Sequence, residues 1–377
     1  MRLMLDYAVW MLPSCKVYVL TGNITDDYSE YQNVNEVIMG VNIFRFKVFF
    51  KTAAKRNINI VSPLLLWKAF LIVLNSQDKV VLHVCELRGI ITLYALLLKL
   101  LFSSRVKLVH SAFGMLHEKN SLIRQVYDFI FLKKILSNIA LDLVQNKHEE
   151  DVFNKMVNSH IQKKVPVLLT PLHFTINKEQ SIPKTKMGDI KKILRTKYEI
   201  PREALVFIFL GRFCAEKGIL RTIDAFSKFK ESKKNSFLII AGKDFNYKGK
   251  ITQYVQNNNL TEAVKLVDNI SSERFEYYSL SDIFIAFPII YEETMLASVE
   301  ALSCGTPIIV SKEADIPYVA ENSAGFVIDY SVRSATIAMD IISNELQIFE
   351  TNAYNVALKY FQDLQHKEQL TKALVNL

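Results

Sequence analysis

The chain of 377 residues contains only four cysteines, too few for a disulfide scaffold. Cys15, Cys85, Cys214 and Cys304 lie far apart and form no Cys-x-x-Cys pair, which argues against a structural zinc centre. No apolar run reaches the ~20 residues that a bilayer-spanning helix needs. The longest, Gly89–Phe102, is interrupted by Lys99 and reads as a buried helix. The apolar start, Met1–Leu12, is split by Asp6 and has a minimal basic region, so a cleaved leader is not expected. Low-complexity tracts and short-period repeats are missing as well. What is present is a folded composition, 50% hydrophobic and 22% charged. The net charge of +8 fits an anionic partner. The basic residues are scattered, without the aromatic interleaving of a single-strand binder, so no nucleic-acid role is expected.

Hydrophobic patterning divides the chain into two α/β halves. In the second half, apolar runs at Leu205–Leu210, Phe237–Ala241, Val264–Val267, Ile283–Phe287, Ile308–Val310 and Phe326–Ile328 read as buried strands. Helical stretches at Ile219–Lys230, Thr294–Ser303 and Val332–Ser343 alternate with them, which predicts βαβ units and a parallel sheet covered on both faces. The first half repeats the rhythm with strands at Val17–Leu20, Val41–Phe46, Val80–Val84, Lys107–His110, Leu141–Gln145 and Val165–Leu169. Its predicted helices are Leu64–Leu74, Gly89–Leu101, Ile123–Leu136 and His148–Val157. A Lys-rich stretch, Asn177–Lys197, reads as linker and surface helix. The expected organisation is 1–176, 177–356 and a C-terminal helix, 357–377, crossing back to the first domain.

In open α/β sheets, ligands gather at the carboxyl ends of strands, where helix N-termini present amide groups to anions. Three strand ends carry suitable residues. After Leu210, Gly211 permits a tight turn, and Arg212 and Lys217 place two cations beside a helix start, a site suited to a diphosphate. After Phe287, Glu292 lies in a loop, and Glu300 lies eight residues further inside an apolar helix with Thr294 as its expected N-cap. A carboxylate there is costly to bury unless paired, and vicinal sugar hydroxyls would satisfy it. The third, Ile240-Ala241-Gly242-Lys243, is a strand ending in glycine.

The order and spacing of these blocks resemble the nucleotide-sugar half of a GT-B glycosyltransferase, specifically retaining glycosyltransferase family 4. Gly211, Arg212, Glu216, Lys217 and Gly218 match that family's GR…EKG block, and Glu292, Glu300, Ala301, Gly305, Thr306 and Pro307 its E-x7-E block. The resemblance is closest over residues 203–330. It implies two Rossmann-like, doubly wound parallel-sheet domains facing across a cleft. It further implies a nucleoside-diphosphate sugar, UDP- or GDP-linked, as donor substrate, no other cofactor and no metal. Arg212 and Lys217 would hold the diphosphate. Glu292, with the backbone of Glu293, Thr294 and Met295, would hold the sugar, and Glu300 the ribose. Ile270 would line the base, with Gly211 and Gly242 also at the donor. His110 and Gly114 would face the acceptor, a saccharide or lipid-linked saccharide, in cell-surface polysaccharide assembly. The family's opening strand and glycine-rich loop are expected to be missing, because Met1–Leu12 already resembles the helix that follows them. That leaves two alternatives open: a shortened, inactive homologue that binds a partner, or a nucleotide-sugar epimerase of the same architecture.

One segment suggests a location. Arg45–Arg56 combines cations with phenylalanines, and Lys47, Lys51 and Lys55 would share one flank of a helix. It predicts a cytoplasmic protein attached to an anionic membrane surface at the inner face of the cell membrane.

Overall fold

A computed structural model describes residues 2–24, 30, 34–49, 61–111, 116, 122–170, 187–268, 270, 273–292, 295–314 and 316–377. The backbone divides into two compact units: Met1–Pro171 with Leu364–Leu377, and Leu172–Asp363.

The first unit holds two sheets. Strands β1 (Tyr18–Gly22), β2 (Asn35–Ile38) and β3 (Val41–Phe46) pair in the order β1-β3-β2, with β1 parallel and β2 antiparallel to β3. Strands β4 (Val80–Val84), β5 (Val106–Ser111), β6 (Ile139–Val144) and β7 (Val167–Leu169) form a second, fully parallel sheet. Its helices are α1 (Arg2–Met11), α2 (Pro63–Asn75), α3 (Ile90–Leu101), α4 (Leu122–Tyr127), α5 (Lys133–Asn138) and α6 (Lys147–His160). A π-helical turn, Asp128–Leu132, joins α4 to α5 without leaving helical dihedrals. Ala95, Leu96, Ile135, Leu136, Phe153 and Val157 from α3, α5 and α6 pack into one core. A separate cluster joins Tyr7 and Trp10 of α1 to Val109, Leu141 and Leu143, with Leu370 and Leu374 from the last helix.

The basic segment after Val41 is not helical where it is described. Alternation of Val41, Ile43 and Arg45 toward the interior makes it strand β3. Arg45 is 3% exposed, and its guanidinium pairs with Glu36 of β2. Arg45 is therefore unavailable to a membrane, which corrects the expectation for that residue; Lys47 is exposed, and residues 50–56 of the segment lie outside the described residues.

The second unit contains one six-stranded parallel sheet. Its strands are β8 (Leu205–Leu210), β9 (Ser236–Gly242), β10 (Val264–Asp268), β11 (Ile283–Ala286), β12 (Ile308–Ser311) and β13 (Gly325–Ile328), in the order β10-β9-β8-β11-β12-β13. β8, β11 and β12 are apolar almost throughout, as strands covered on both faces must be. The helices are α7 (Met187–Lys197), α8 (Ile219–Ser232), α9 (Lys248–Asn257), α10 (Arg274–Leu280), α11 (Leu296–Ser303), α12 (Val332–Asn344) and α13 (Leu346–Tyr360); α14 (Asp363–Val375) ends the chain and belongs, from Leu364, to the first unit.

The Lys-rich stretch is more than a surface helix. On α7, Arg195 is buried and donates to Asp282 Oδ2 at 2.7 Å, while Lys191 Nζ lies 3.0 Å from Oδ1. Asp282 Oδ2 also accepts from the Val206 amide at 2.7 Å. This network ties α7 to the amino ends of β8 and β11. The carboxyl ends of the same two strands carry Arg212, Lys217 and Glu292, the candidate site residues.

Candidate active site

Strand order reverses between β8 and β11, with β9 and β10 on one side and β12 and β13 on the other. Chain leaving the two strands at such a switch point diverges and opens a crevice at their carboxyl ends. Both sequence blocks fall there. From β8 the chain passes through Gly211 and exposed Arg212 to buried Phe213, whose amide donates to the Lys243 carbonyl at 2.8 Å. A 3-10 turn, Ala215–Lys217, follows, and Gly218 starts α8 in the left-handed region at φ 64°.

Two glycines set the spacing of these loops. A Cβ on Gly218 would stand 1.8 Å from the Phe287 carbonyl oxygen at the end of β11. A Cβ on Gly242, at φ 153°, would stand 1.8 Å from the Gly211 oxygen. Both positions exclude side chains. The Ile289 amide donates to the Glu216 carbonyl at 2.8 Å, which closes the two loops on each other.

In that frame Lys217 Nζ lies 2.6 Å from Glu292 Oε1, both side chains largely shielded. Arg212 has its guanidinium over the Phe245 ring at 5.5 Å. Arg212 and Lys217 thus stand at this end of β8 with Glu292 and Glu216 as the acids of the two loops. Burial and a contact with Glu216 push the Cys214 thiol up, away from nucleophilic thiolate.

Glu300 is 4% exposed on α11. The charge is compensated by Arg274, whose Nε donates to Oε1 at 3.0 Å, and by the Tyr278 hydroxyl, 3.4 Å from Oε2. Burial and the neighbouring carboxylate hold the Tyr278 hydroxyl well above its ordinary range, so it stays a donor. Met295 is the residue before α11 and buried, and Gly242 ends β9. Ile270 is half-buried beyond β10. Glu293, Thr294 and Gly114 lie outside the described residues.

His110 belongs to the first unit and is not ligand-facing. It is wholly buried, its ring stacked on Phe153 with centroids 6.1 Å apart, and its Nδ1 lies 2.5 Å from Asp142 Oδ1 on the neighbouring strand. A side chain without exposed atoms cannot touch an acceptor, so that expectation is corrected.

Sequence reasoning missed Arg274 and Tyr278, which lie 26 and 22 residues from the carboxylate they serve. It also missed the support under Glu292. The Glu292 amide donates to the Glu313 carbonyl at 2.6 Å. Arg221 Nη1 donates to the Pro288 carbonyl at 3.1 Å while its guanidinium rests on the Tyr330 ring at 4.9 Å. The signal available was the burial cost of Glu300 itself, which demands a partner without naming one.

Comparison with known proteins locates this arrangement. Residues 190–353 match the family model described as glycosyl transferases group 1. A curated relative, lipopolysaccharide 1,2-N-acetylglucosaminetransferase of Salmonella typhimurium, is 25% identical over 157 residues, covering 39% of this chain and 41% of the relative. The aligned stretch thus spans less than half of that relative's length. Among solved structures, sucrose-phosphate synthase from Thermosynechococcus elongatus superposes with a TM-score of 0.73 at 16% identity, over 100% of this chain and 92% of the other. Anabaena Alr3699/HepE in complex with UDP-glucose gives 0.70 at 16% identity, over 90% and 87%. The chain has the GT-B fold, and residues 190–353 of its second unit are similar to the glycosyl transferases group 1.

Proposed function

We propose that this protein transfers a sugar from a nucleoside-diphosphate sugar, UDP- or GDP-linked, to a saccharide or lipid-linked acceptor with retention of anomeric configuration. The observation that carries the reading is the Lys217–Glu292 pair, 2.6 Å apart, joining the ends of β8 and β11 at the switch point with Arg212 on the same loop. Arg212 and Lys217 hold the diphosphate and stabilise the negative charge that builds on it as the glycosidic bond breaks. The first amides of α8 add their partial positive charge. Glu292, positioned through its amide by Glu313, is then within reach of the transferred sugar, with the backbone of Glu293, Thr294 and Met295 beside it. Glu300, oriented by Arg274 and Tyr278, accepts from the ribose hydroxyls, and Ile270 lines the base. Rate enhancement comes from electrostatics and positioning, with no metal in the scheme.

The relative from Salmonella, named for N-acetylglucosamine transfer to lipopolysaccharide, supports a cell-surface glycan as the product. HepE, solved with UDP-glucose, supports a uridine donor. The test is incubation with a panel of UDP- and GDP-sugars and simple saccharide acceptors, with products read by NMR at the anomeric carbon. Transfer with retention from one donor is expected. Inversion would refute the stereochemical part. Isomerised free sugar without transfer would favour an epimerase, and no turnover with intact nucleotide binding a binding homologue.

A further inference from the structure

We infer that the outward face of the continuous helix formed by α4, its π turn and α5 is a docking surface for an anionic phospholipid bilayer. The inward side of this helix is spoken for. Leu132, Ile135 and Leu136 are buried in the core of the first unit, and Asp128 is held by Arg88 at 2.8 Å. The outward side repeats at helical spacing and is apolar too. Leu122 is 79% exposed, Ile123 68%, Val126 58%, Phe129 92% and Ile130 55%. A helix apolar on both sides belongs in an apolar environment on both sides. A phenylalanine almost fully in water, flanked by four exposed aliphatic residues, exceeds the scattered single exposures of an ordinary surface. Neighbouring α3 adds Leu97, Leu100 and Leu101, exposed by 44%, 45% and 61%.

Charge selects the occupant. Between Leu122 and Asn138 the cations are Arg124, Lys133 and Lys134, and the single acid is Asp128, already neutralised by Arg88. Lys133 and Lys134 follow Phe129 and Ile130 by one turn on the same outward face. α3 contains Lys99 and no acid. Apolar side chains entering the headgroup boundary, with cations at their rim facing phosphates, is the arrangement of an interfacial helix on an anionic leaflet. A second copy of the chain fits worse, since a two-fold interface on this segment would enclose Lys133 and Lys134 of both chains with Asp128, already paired with Arg88, as its only acid. No helix among the described residues is long and apolar enough to cross a membrane.

This inference concerns where the proposed transferase works, and it is read without reference to transfer, so either can fail alone. The full chain is floated on a density gradient with vesicles of equal parts phosphatidylcholine and phosphatidylglycerol, and with phosphatidylcholine alone. The wild type is expected to float with the anionic vesicles. Phe129→Ser with Ile130→Ser is expected to lower the partition coefficient about a hundredfold, near tenfold for each apolar side chain. Lys133→Glu with Lys134→Glu should lower it at least tenfold and abolish the preference for the anionic vesicles. Ile348→Ser, at a 56% exposed site in the other unit, should float like the wild type. Melting temperatures close to wild type establish that the variants are folded. A wild type that stays at the bottom, or a Phe129/Ile130 variant that floats equally well, overturns the proposal. So does a wild-type dimer that the same double substitution converts to monomer.

Discussion

Gly218→Ala is the substitution that separates this account from a generic strand-to-helix loop. Alanine at φ 64° costs about 1 kcal/mol in the left-handed region. Its methyl group would also lie 1.8 Å from the Phe287 oxygen and 2.7 Å from the Phe287 carbonyl carbon. Neither atom belongs to a flexible side chain, so the backbone of one loop must move by about 1 Å or more to restore contact distance. Overpacking of that kind costs about 1–3 kcal/mol. Together the two effects give about 2–4 kcal/mol, or roughly 5–12 °C in the melting temperature of a unit this size. The displacement falls between Lys217 and Glu292, so UDP or GDP binding should weaken beyond what the lost stability explains. Gly249→Ala is the matched control. Its Cβ would meet nothing within 4 Å, and it lies near the start of α9, so it should stabilise by about 0.5–1 kcal/mol. Differential scanning fluorimetry with and without nucleotide reads both. If Gly218→Ala melts like the wild type and binds nucleotide equally well, the close approach of the two loops is not what shapes the site.

Glu300→Gln keeps the size of the side chain and removes the charge facing Arg274. Stability should drop by about 1–3 kcal/mol, less than the about 3–5 kcal/mol of a fully buried pair because Arg274 is partly exposed, together with weaker binding of nucleotides that carry ribose hydroxyls; an equal loss for nucleotides and inorganic diphosphate would refute the ribose role. Arg221→Met should leave nucleotide affinity near wild type but lower turnover, because it leaves the Pro288 carbonyl with only the longer Ser311 hydroxyl contact and loosens the loop before Glu292; unchanged kcat removes it from the site's support. Burial, with His110 nearby, pushes His83 down to about 3, so the unfolded chain takes its proton first as pH falls. The stabilisation is complete above pH ~6.5 and is lost below it, about 2 kcal/mol by pH ~5. His83→Gln should flatten that slope in urea titrations, and an unchanged slope assigns it to other groups.

The legibility of the sequence varied with the kind of interaction. Strands such as Leu205–Leu210 announce themselves because a parallel strand buried on both faces must be apolar throughout. β2 escaped notice because Asn35–Ile38 is short, half polar and antiparallel, held by its hairpin to β3. The lysines at 47, 51 and 55 share a four-residue spacing, but up to Phe46 the chain follows the alternation that buries Val41, Ile43 and Arg45, and residues 50–55 lie outside the described residues. Arg212, Lys217 and Glu292 were legible as types in a loop. That Lys217 meets Glu292 depends on β8 and β11 being neighbours. His110 at a strand end read as exposed because sequence does not reveal the pairing with Asp142 across β6. The predicted helix at Ile123–Leu136 is present, but its second apolar face emerged only once the first was seen packed against the core.

The central claim is that the ends of β8 and β11 form a diphosphate site. Calorimetric titration of the full chain with UDP and GDP, on the wild type and on Arg212→Ala, tests it most directly. Arg212 is exposed, so the variant keeps its fold. One nucleotide should bind the wild type, and losing a charge-assisted contact to the diphosphate should weaken it about tenfold to a hundredfold in the variant. No binding of either nucleotide to folded wild type, or equal affinity in the two proteins, would contradict the account.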